Sequence, residues 1–402
     1  MLCRSINSMM SQSNEEIHMQ LRIENYIKFP TVGHIYYEVP DKSVMDNAQQ
    51  LIAELCHQKL SALYGCSSLG QERLNRELNN MAETETAFQY LLLKDIIDRS
   101  RTENAPVFSY DPGSLILFLL GATPVNPLPP HYRCVNCGYV EEATGIQDGY
   151  DLPPKPCPVC EKDLNRDGHN CSDALYWSGF RKRKRRPTLA VHIVESVLQD
   201  LQKVLNSKCS KLPSSEGIYQ DIELQVSETV GKISQLSRMT GEAYQSCDVY
   251  DKSIWKGIAK DSLEELGGTE SCDLPDGLPC TLDYYDDTIF GFVSAWAFCR
   301  GTFTDDSAPV YVMRDEIEAA LRETGLSDSE AAFLAHRTAM GKEDPPIRVP
   351  PHIRDSMRSV IHVWSKASCI SRMLCSYYLR WYEKHYPAAY KETDRAAKEV
   401  QK

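Results

Sequence analysis

The sequence predicts an α+β protein that is mostly helical, with a small cysteine-rich ribbon inserted near the middle. Apolar residues recur at helical spacing through most of the chain. A segment rich in proline and glycine, residues 127–170, interrupts this pattern, and two Cys-x-x-Cys pairs lie inside it. Closely spaced cysteines in a turn-rich stretch are typical of a compact ribbon. We therefore expect a helical body with one small insertion of a different kind.

The helical pattern predicts six helical stretches. In the first of them Leu51, Leu55 and Leu63 recur at helical spacing, and Gly65 provides a stop. Residues 218–240 are ambiguous, because their first half alternates as in a strand and their second half has the helical period. The predicted helical stretches are residues 44–64, 69–99, 188–207, 252–268, 327–340 and 353–385.

The C-terminal part of the chain contains further helix signals. Ser327 and Glu330 have the spacing of a capping box, in which the serine caps the first turn and the glutamate reaches back. The last predicted helix, residues 353–385, should stop before Pro387, and residues 393–402 should be a frayed tail. One face of that helix is expected to be buried and to carry Met357, Ile361, Trp364, Leu374 and Trp381.

Length and composition are those of an ordinary globular protein. The chain has 402 residues, of which 42% are hydrophobic and 25% charged, enough for two or three domains. No apolar run reaches the roughly 18 residues that a membrane span needs. The N-terminal residues also lack the apolar segment of a signal peptide. We therefore expect a cytoplasmic protein whose 15 cysteines are reduced.

Charge is distributed unevenly along the chain. The net charge of −12 argues against a protein that coats nucleic acid indiscriminately. Six consecutive cations nevertheless follow the cysteine-rich segment. We predict that they contact nucleic-acid phosphates, and a solvated loop or a nuclear-import signal are the alternatives. This basic segment consists of Arg181, Lys182, Arg183, Lys184, Arg185 and Arg186.

The four paired cysteines have the spacing of a zinc site. Cys134, Cys137, Cys157 and Cys160 form the pattern C-x2-C-x19-C-x2-C. Each pair makes a tight turn with both sulfurs directed at one centre, and zinc prefers four such thiolates in a tetrahedron. Four thiolates leave no open position for water, so the predicted zinc ion is structural rather than catalytic. His169 lies nearby, but the four sulfurs already fill the coordination shell.

The stretches NPLPPHYRCVNCGY and GYDLPPKPCPVCEKDLNRDGHN resemble the zinc-containing part of PolC-type DNA polymerase III, the C-family replicative polymerase of low-GC Gram-positive bacteria. The family pattern has NPLPPHY before the first cysteine pair, GxDLP before the second, and KDGH after it. Weaker similarity, in family order, covers most of residues 65–390. The resemblance implies a remnant of the polymerase palm and fingers, with the zinc ribbon beside the path of the DNA.

The resemblance also suggests how the chain is divided. We expect an N-terminal helical segment, a helical palm-like segment, the zinc ribbon, a palm-like remnant, a helical fingers-like segment and a tail. These correspond to residues 1–64, 65–126, 127–170, 171–300, 301–392 and 393–402, respectively.

Two departures from the family concern the site of nucleotide transfer. The resemblance implies two metal ions held by the paired aspartates of a PDID motif. Here the segment reads PTLA, so Thr188 and Ala190 stand where the aspartates are expected, and neither can replace a metal-binding carboxylate. The glycine- and serine-rich phosphate loop of the family is replaced by SYDPGSLILFLLGATP. We therefore predict no catalytic residues.

Three other residues are weaker candidates for a functional role. Lys366, in SKASC, matches the lysine of the family's PKAHA element and is a candidate phosphate contact, with an ordinary helix lysine as the alternative. Asp221 and Glu223 have strand spacing and offer a substitute pair of carboxylates, although a solvated strand edge explains them better.

Three functions remain in competition. The first is a catalytically inactive PolC remnant, stabilised by zinc and associated with DNA or replication proteins. The second is a protein–protein scaffold without affinity for nucleic acid, which the acidic net charge favours. The third is an active nucleotidyltransferase with relocated carboxylates. The sequence does not indicate an oligomeric state.

Overall fold

The computed structural model describes most of the chain between residues 27 and 400. The described residues are 27–31, 34–38, 41–109, 112–172, 189–206, 219–267, 282, 285–304, 310–341 and 347–400. The basic segment Arg181–Arg186 and Thr188 lie outside them, and so does the side chain of Asp221. Within these residues the fold is α+β and mostly helical, as predicted.

Helices and strands are numbered here in chain order. The helices are α1 (Lys42–Tyr64), α2 (Gln71–Glu83), α3 (Ala87–Thr102), α4 (Leu115–Leu120), α5 (Glu195–Asn206), α6 (Glu228–Thr240), α7 (Lys252–Gly267), α8 (Ile289–Arg300), α9 (Arg314–Glu323), α10 (Asp328–Thr338), α11 (Pro351–Arg358), α12 (Lys366–His385) and α13 (Pro387–Val400). The strands are β1 (Ile27–Thr31), β2 (His34–Glu38), β3 (Phe108–Ser109), β4 (His131–Arg133), β5 (Val140–Glu142), β6 (Asn165–Asp167), β7 (Ala190–Ile193), β8 (Tyr219–Val226), β9 (Thr302–Phe303) and β10 (Val360–His362).

The first predicted helix is confirmed as α1. The Asp41 side chain caps it by accepting a hydrogen bond from the Val44 N–H at 3.1 Å, and Gly65 ends it with a φ of +59°. The second predicted stretch, residues 69–99, is two helices rather than one. The chain turns between α2 and α3, where Glu85 has a φ of +53° that a helix does not accommodate.

A five-stranded sheet packs into the same core as these helices, in the order β1-β2-β8-β7-β3. Strands β7 and β8 are parallel, and the other neighbours are antiparallel. The prediction of a helix from residue 188 is wrong at its start, because β7 precedes α5. Val191 and Ile193 are fully buried two residues apart, which is the period of a strand. The ambiguous residues 218–240 form β8 and then α6.

The cysteine-rich segment forms its own three-stranded antiparallel sheet, in the order β5-β4-β6. Its core is small and consists of Tyr132, Leu152 and Leu164 with two of the cysteines, Cys134 and Cys157. A core of this size buries too little apolar surface to be stable alone. The ribbon therefore depends on its sulfur centre and on its attachment to the body.

The single helix predicted over residues 353–385 is wrong. Strand β10 separates α11 from α12 and pairs with β9, and its β-branched residues Val360 and Ile361 are compatible with an extended chain. Ser365 then caps α12 by accepting from the Ser368 N–H at 3.2 Å. Among the side chains expected on one buried face, Met357, Leu374 and Trp381 are buried, whereas Ile361 is 45% exposed and Trp364 is half-buried.

The structure confirms one of two smaller predictions for the C-terminal part of the chain and contradicts the other. Ser327 caps α10, as predicted, by accepting from the Glu330 N–H at 3.4 Å. The Glu330 carboxylate forms an ion pair with Arg348 instead of the predicted return contact. The expected frayed tail is wrong as far as Val400, because residues 387–400 form α13.

Candidate metal centre and the cleft beside the sheet

Two matching turns present the four cysteines. In the first, the Gly138 N–H donates to the Cys134 carbonyl at 3.0 Å, and in the second the Glu161 N–H donates to the Cys157 carbonyl at 2.9 Å. Gly138 has a φ of +76° and Glu161 a φ of +61°. The residue after each second cysteine is therefore left-handed in both turns, and only the first turn places glycine there.

The four sulfur atoms lie close enough to share one ion. The Sγ atoms of Cys134 and Cys160 are 3.4 Å apart, those of Cys137 and Cys157 are 3.5 Å apart, and all four lie within 4.8 Å of one another. A tetrahedral zinc ion with Zn–S bonds of about 2.3 Å requires sulfurs about 3.8 Å apart. The cluster therefore fits a metal ion held by four thiolates, and the sequence prediction that these residues meet is confirmed.

The motif that precedes the first cysteine pair fastens the ribbon to the body. Asn126 is fully buried, and its amide donates to the Tyr64 hydroxyl at 2.8 Å and to the Asp167 carboxylate at 2.7 Å. The backbone carbonyl of Asn126 accepts from the His169 N–H at 2.9 Å. One side chain thus joins the end of α1 to strand β6. Sequence reasoning quoted this motif for its family resemblance and did not foresee its structural role.

The motif that precedes the second cysteine pair makes a second attachment. The Asp151 carboxylate accepts from the N–H groups of Ile289 and Phe290 at 2.7 and 2.9 Å, and so caps α8 of the body. Asp148 is fully buried and lies 2.9 Å from the Nδ1 atom of His169. Burial by itself would raise the pKa of Asp148, but the neighbouring His169 holds it below the usual range. The ribbon therefore positions α8.

Lys366 is buried rather than exposed. It is the first residue of α12, is 3% exposed, and its ammonium donates to the Gln147 carbonyl at 2.6 Å and lies 4.7 Å from the centre of the Phe290 ring. Its backbone N–H donates to Asp315 at 2.6 Å. In this arrangement Lys366 joins α12 to the ribbon, and its predicted contact with phosphate stays a prediction.

A buried ion pair occupies the region where the family's phosphate loop is expected. The Glu77 carboxylate accepts from the Ser114 hydroxyl at 2.7 Å and from the N–H groups of Leu115 and Ile116 at 3.0 and 3.1 Å. Arg73 lies 3.1 Å from Glu77. The first N–H groups of α4 are thus already satisfied by a carboxylate of the chain itself. Sequence reasoning missed this pair, whose only signal is an arginine and a glutamate four residues apart on a helix.

Strand β7 places Ala190 next to a carboxylate. Ala190 is paired with Glu223 of the parallel strand β8, and in a parallel pair such neighbours lie on the same face. His192 follows two residues later and shares that face, where burial, aided by the Arg372 guanidinium, lowers its pKa. The Glu223 side chain is half-buried and accepts from the Gln225 amide at 2.6 Å. The backbone of Asp221 lies in β8, while its side chain is outside the described residues.

A cleft of about 400 Å³ opens between this sheet and α12. The Arg372 guanidinium lies 5.0 Å from the centre of the Trp364 ring, and that of Arg300 lies 5.6 Å from the Trp296 ring. Serine and threonine side chains from α6 and α12 line the rest of the cleft with His192. Among the described residues that line it there is no aspartate or glutamate. The described lining therefore combines two guanidiniums with no carboxylate, the ligand that Mg²⁺ and Ca²⁺ prefer, and Arg300 also pairs with Glu265 at 3.2 Å.

Within the residues that the structure describes, no helix is long and apolar enough to cross a bilayer.

Comparison with known proteins identifies the relatives of part of this chain. No family model matches. PolC-type DNA polymerase III of Thermotoga petrophila is 35% identical over 166 residues, which are 39% of this chain and 12% of the relative. The enzymes named PolC-type from Thermotoga maritima and Streptococcus pyogenes are each 34% identical, over 165 and 132 residues. The chain thus covers 12% or less of the length of these relatives. The resemblance found in the sequence is confirmed, and the chain carries a PolC-like segment.

Proposed function

We propose that this chain is a catalytically inactive PolC-like protein that associates with nucleic acid and holds one structural zinc ion. The observation that carries the proposal is the pairing of Ala190 with Glu223. Nucleotide transfer in the two-metal scheme requires carboxylates that hold both ions. A methyl group at residue 190 offers no ligand, and Thr188 offers at most a hydroxyl. Glu223 alone cannot assemble such a site, and the side chain of Asp221, the other carboxylate of β8, lies outside the described residues.

The cleft beside the sheet supports the nucleic-acid part of the proposal. Arg300 and Arg372 supply positive charge, and Trp296 and Trp364 supply aromatic faces. A strand of nucleic acid needs these two kinds of contact, because its phosphates are anionic and its bases stack. The Glu77 carboxylate, bound to the N–H groups of α4, leaves those groups unable to cradle a triphosphate. We therefore expect phosphate binding without metal-assisted chemistry.

The proposal includes expectations that the relatives suggest. Replication proteins or DNA are the partners we propose, in the cytoplasm. We retain the first five segments described above as the domain organisation, and not the separate tail, because residues 387–400 form α13. The four thiolates of the ribbon fit zinc better than a harder cation, because zinc favours sulfur ligands and tetrahedral geometry.

A primer-extension assay tests the absence of catalysis. Purified protein is incubated with a primed template, nucleotides and either magnesium or manganese, and we expect no extension. Extension that disappears in Asp221→Ala or Glu223→Ala would show that the carboxylates have relocated, and would overturn the inactive assignment in favour of the nucleotidyltransferase.

The salt dependence of DNA binding tests the association with nucleic acid. Each phosphate contact changes log K by about −0.9 per unit of log salt on duplex DNA. If three to five side chains of the basic segment are engaged, affinity should fall roughly ten- to several-hundred-fold between about 50 and 200 mM salt. Replacing Arg181, Arg183, Arg185 and Arg186 with alanine should flatten this slope and leave the zinc content unchanged. Absence of any DNA or RNA binding at low salt would favour the protein–protein scaffold.

A further inference from the structure

A second cavity lies at the junction between the ribbon and the helical body, away from the sheet cleft. Its volume is about 520 Å³. Strands β4 and β6 of the ribbon form one wall, and α3 with the turn after α4 forms another. Residues 244–250 and Tyr378 of α12 close the remaining side. We name it the junction pocket. A volume of this size is in the range of pockets that hold small organic ligands.

Three arginines line the junction pocket from different elements. Arg166 of β6 lies with its guanidinium 3.7 Å from the centre of the Tyr250 ring and donates to the Leu152 carbonyl at 2.8 Å. Arg101 of α3 donates to the Leu120 carbonyl at 3.2 Å. Arg133 of β4 is half-buried in the ribbon wall. The three guanidiniums therefore come from both the body and the ribbon.

A glycine makes room for one of these arginines. Gly121 follows α4 with a φ of +86°, and a Cβ atom there would collide with the Arg101 guanidinium. A left-handed glycine at this position both ends the helix and admits the charged group. The placement of Arg101 in the pocket wall is thus supported by the local backbone.

Tyrosine rings provide the apolar surface. Tyr244 and Tyr378 meet edge to face with ring centres 5.4 Å apart, and Tyr150 meets Tyr250 in the same way at 5.6 Å. Burial raises the pKa of Tyr244 to about 12, against the opposing effect of the Arg101 charge. These rings stay neutral. Tyr150 and Tyr378 are buried and the Arg166 guanidinium covers one face of Tyr250, so the half-buried Tyr244 ring offers the most accessible surface for stacking.

The two carboxylates of the pocket are already engaged. Asp167 accepts from the Asn126 amide at 2.7 Å and from the Gly168 N–H at 2.8 Å. Asp248 accepts from the Tyr250 N–H at 3.0 Å. Their hydrogen bonds reduce the repulsion that they exert on an anion. The lining thus holds three guanidiniums and two carboxylates, and a further carboxylate outside it, that of Asp98, pairs with Arg101 at 3.3 Å.

We propose that the junction pocket binds a nucleoside phosphate, with the phosphate between the arginines and the base against the tyrosines. The ligand is either a free nucleotide or one unpaired nucleotide of a single strand, because paired bases of a duplex cannot enter a cavity of this size. If the ligand is an unpaired nucleotide of a single strand, the proposal rests on the nucleic-acid association proposed above. A nucleotide held there bridges the ribbon and the body, so its binding is coupled to the ribbon's attachment.

The test compares the full-length protein with variants of the pocket. Arg101→Gln and Arg133→Gln are combined, and Arg358→Gln, on the exposed side of α11 where it pairs with Asp355 at 3.2 Å, is the matched control. AMP binding is followed by ligand-detected nuclear magnetic resonance, and binding of a labelled 12-nucleotide oligothymidylate by fluorescence anisotropy. Zinc content and thermal midpoint establish that each variant folds.

We expect the double variant to bind both probes at least about tenfold more weakly, since each lost charged hydrogen bond has an effect of this order. The control should bind as the wild type does. Inorganic phosphate should compete about tenfold less well than AMP, because it lacks a base to stack. AMP binding without oligonucleotide binding would identify the ligand as a free nucleotide and would count against the proposed nucleic-acid association alone.

Two results would overturn the pocket assignment. Oligonucleotide binding that the double variant leaves unchanged, together with no binding of AMP, would place the nucleic-acid contact elsewhere and leave the proposed function intact. Absence of binding for both probes in the wild type would reject the pocket and the nucleic-acid association together.

Discussion

Ala190 of β7 is paired in register with Glu223 of the parallel strand β8. Ala190 is 2% exposed, and Glu223 is half-buried on the same face. A methyl group therefore stands beside a single carboxylate where the family resemblance implies a pair of metal-binding aspartates. This pairing is the observation on which the proposed absence of catalysis depends.

Restoring one carboxylate should make this position sensitive to metal ions. Ala190→Asp places a second carboxylate beside Glu223, where burial without a partner should destabilise the fold by about 1–3 kcal/mol. A divalent ion that both carboxylates bind should recover part of that loss, because it binds the folded state alone. We expect manganese to raise the thermal midpoint of Ala190→Asp and not that of the wild type. Ala190→Asn, equal in size and uncharged, is the control, and an equal rise in both variants would contradict the prediction.

The sulfur cluster should contain about one equivalent of zinc per chain, measured by elemental analysis. Cys157→Ser should lose the metal and unfold the ribbon, because the ribbon core is too small to persist alone. Cys171→Ser is a matched control, since Cys171 is a buried cysteine outside the cluster. Retention of full zinc in Cys157→Ser, or its loss in Cys171→Ser, would show that the ligand set is assigned incorrectly.

The two left-handed residues of the cysteine turns should respond to substitution in opposite directions. Glu161→Gly removes the cost of about 1–2 kcal/mol that a side chain pays at positive φ, and part of this gain is offset by the greater freedom of glycine when unfolded. Gly138→Ala introduces that cost in open space, since no atom lies within 4 Å of the added Cβ. We expect Glu161→Gly to hold zinc more tightly and Gly138→Ala less tightly in a chelator competition. Changes of the same sign in both variants would refute the explanation.

Stability in acid should depend on Asp148. The pKa of this carboxyl is lowered in the folded protein, so its contribution is complete above the unfolded value of about 3.9 and is lost as the pH falls below it. Asp148→Asn should lower the free energy of unfolding at neutral pH by about 1–3 kcal/mol. The variant should then lose less stability than the wild type as the pH falls. Urea unfolding at a series of pH values measures both effects. Asp355→Asn, on the surface of α11, is the control. If Asp148→Asn had the same pH dependence of stability as the wild type, Asp148 would not be the group responsible.

Local signals in the sequence predicted many elements correctly. The periodicity and the stop at Gly65 identify α1, and the serine spacing at Ser327 identifies the start of α10. These features involve residues within a few positions of one another, so their physics is contained in the local sequence. The cysteine spacing is equally informative, because two short turns are enough to bring four sulfurs to one centre.

Long-range pairing explains where sequence reasoning failed. β7 was expected to be helical, and β10 was expected to continue a long helix. Each of these strands is three or four residues long and forms only because a distant strand pairs with it. Periodicity over so few residues does not separate a strand from a helix. The same limit applies to the contact of Asp151 with α8, which joins residues 138 positions apart.

The sequence by itself determined the sulfur centre, most of the helices and the family resemblance, because spacing and periodicity act over short distances along the chain. It also showed that neither Thr188 nor Ala190 carries a carboxylate, since that depends only on their side chains. Only the tertiary structure decided that Glu77 satisfies the start of α4, that Lys366 is buried against the ribbon, and that three arginines meet around one cavity. Those arrangements join residues from separate elements, and the free energy that holds them arises from burial and hydrogen bonding that exist only once the chain has folded.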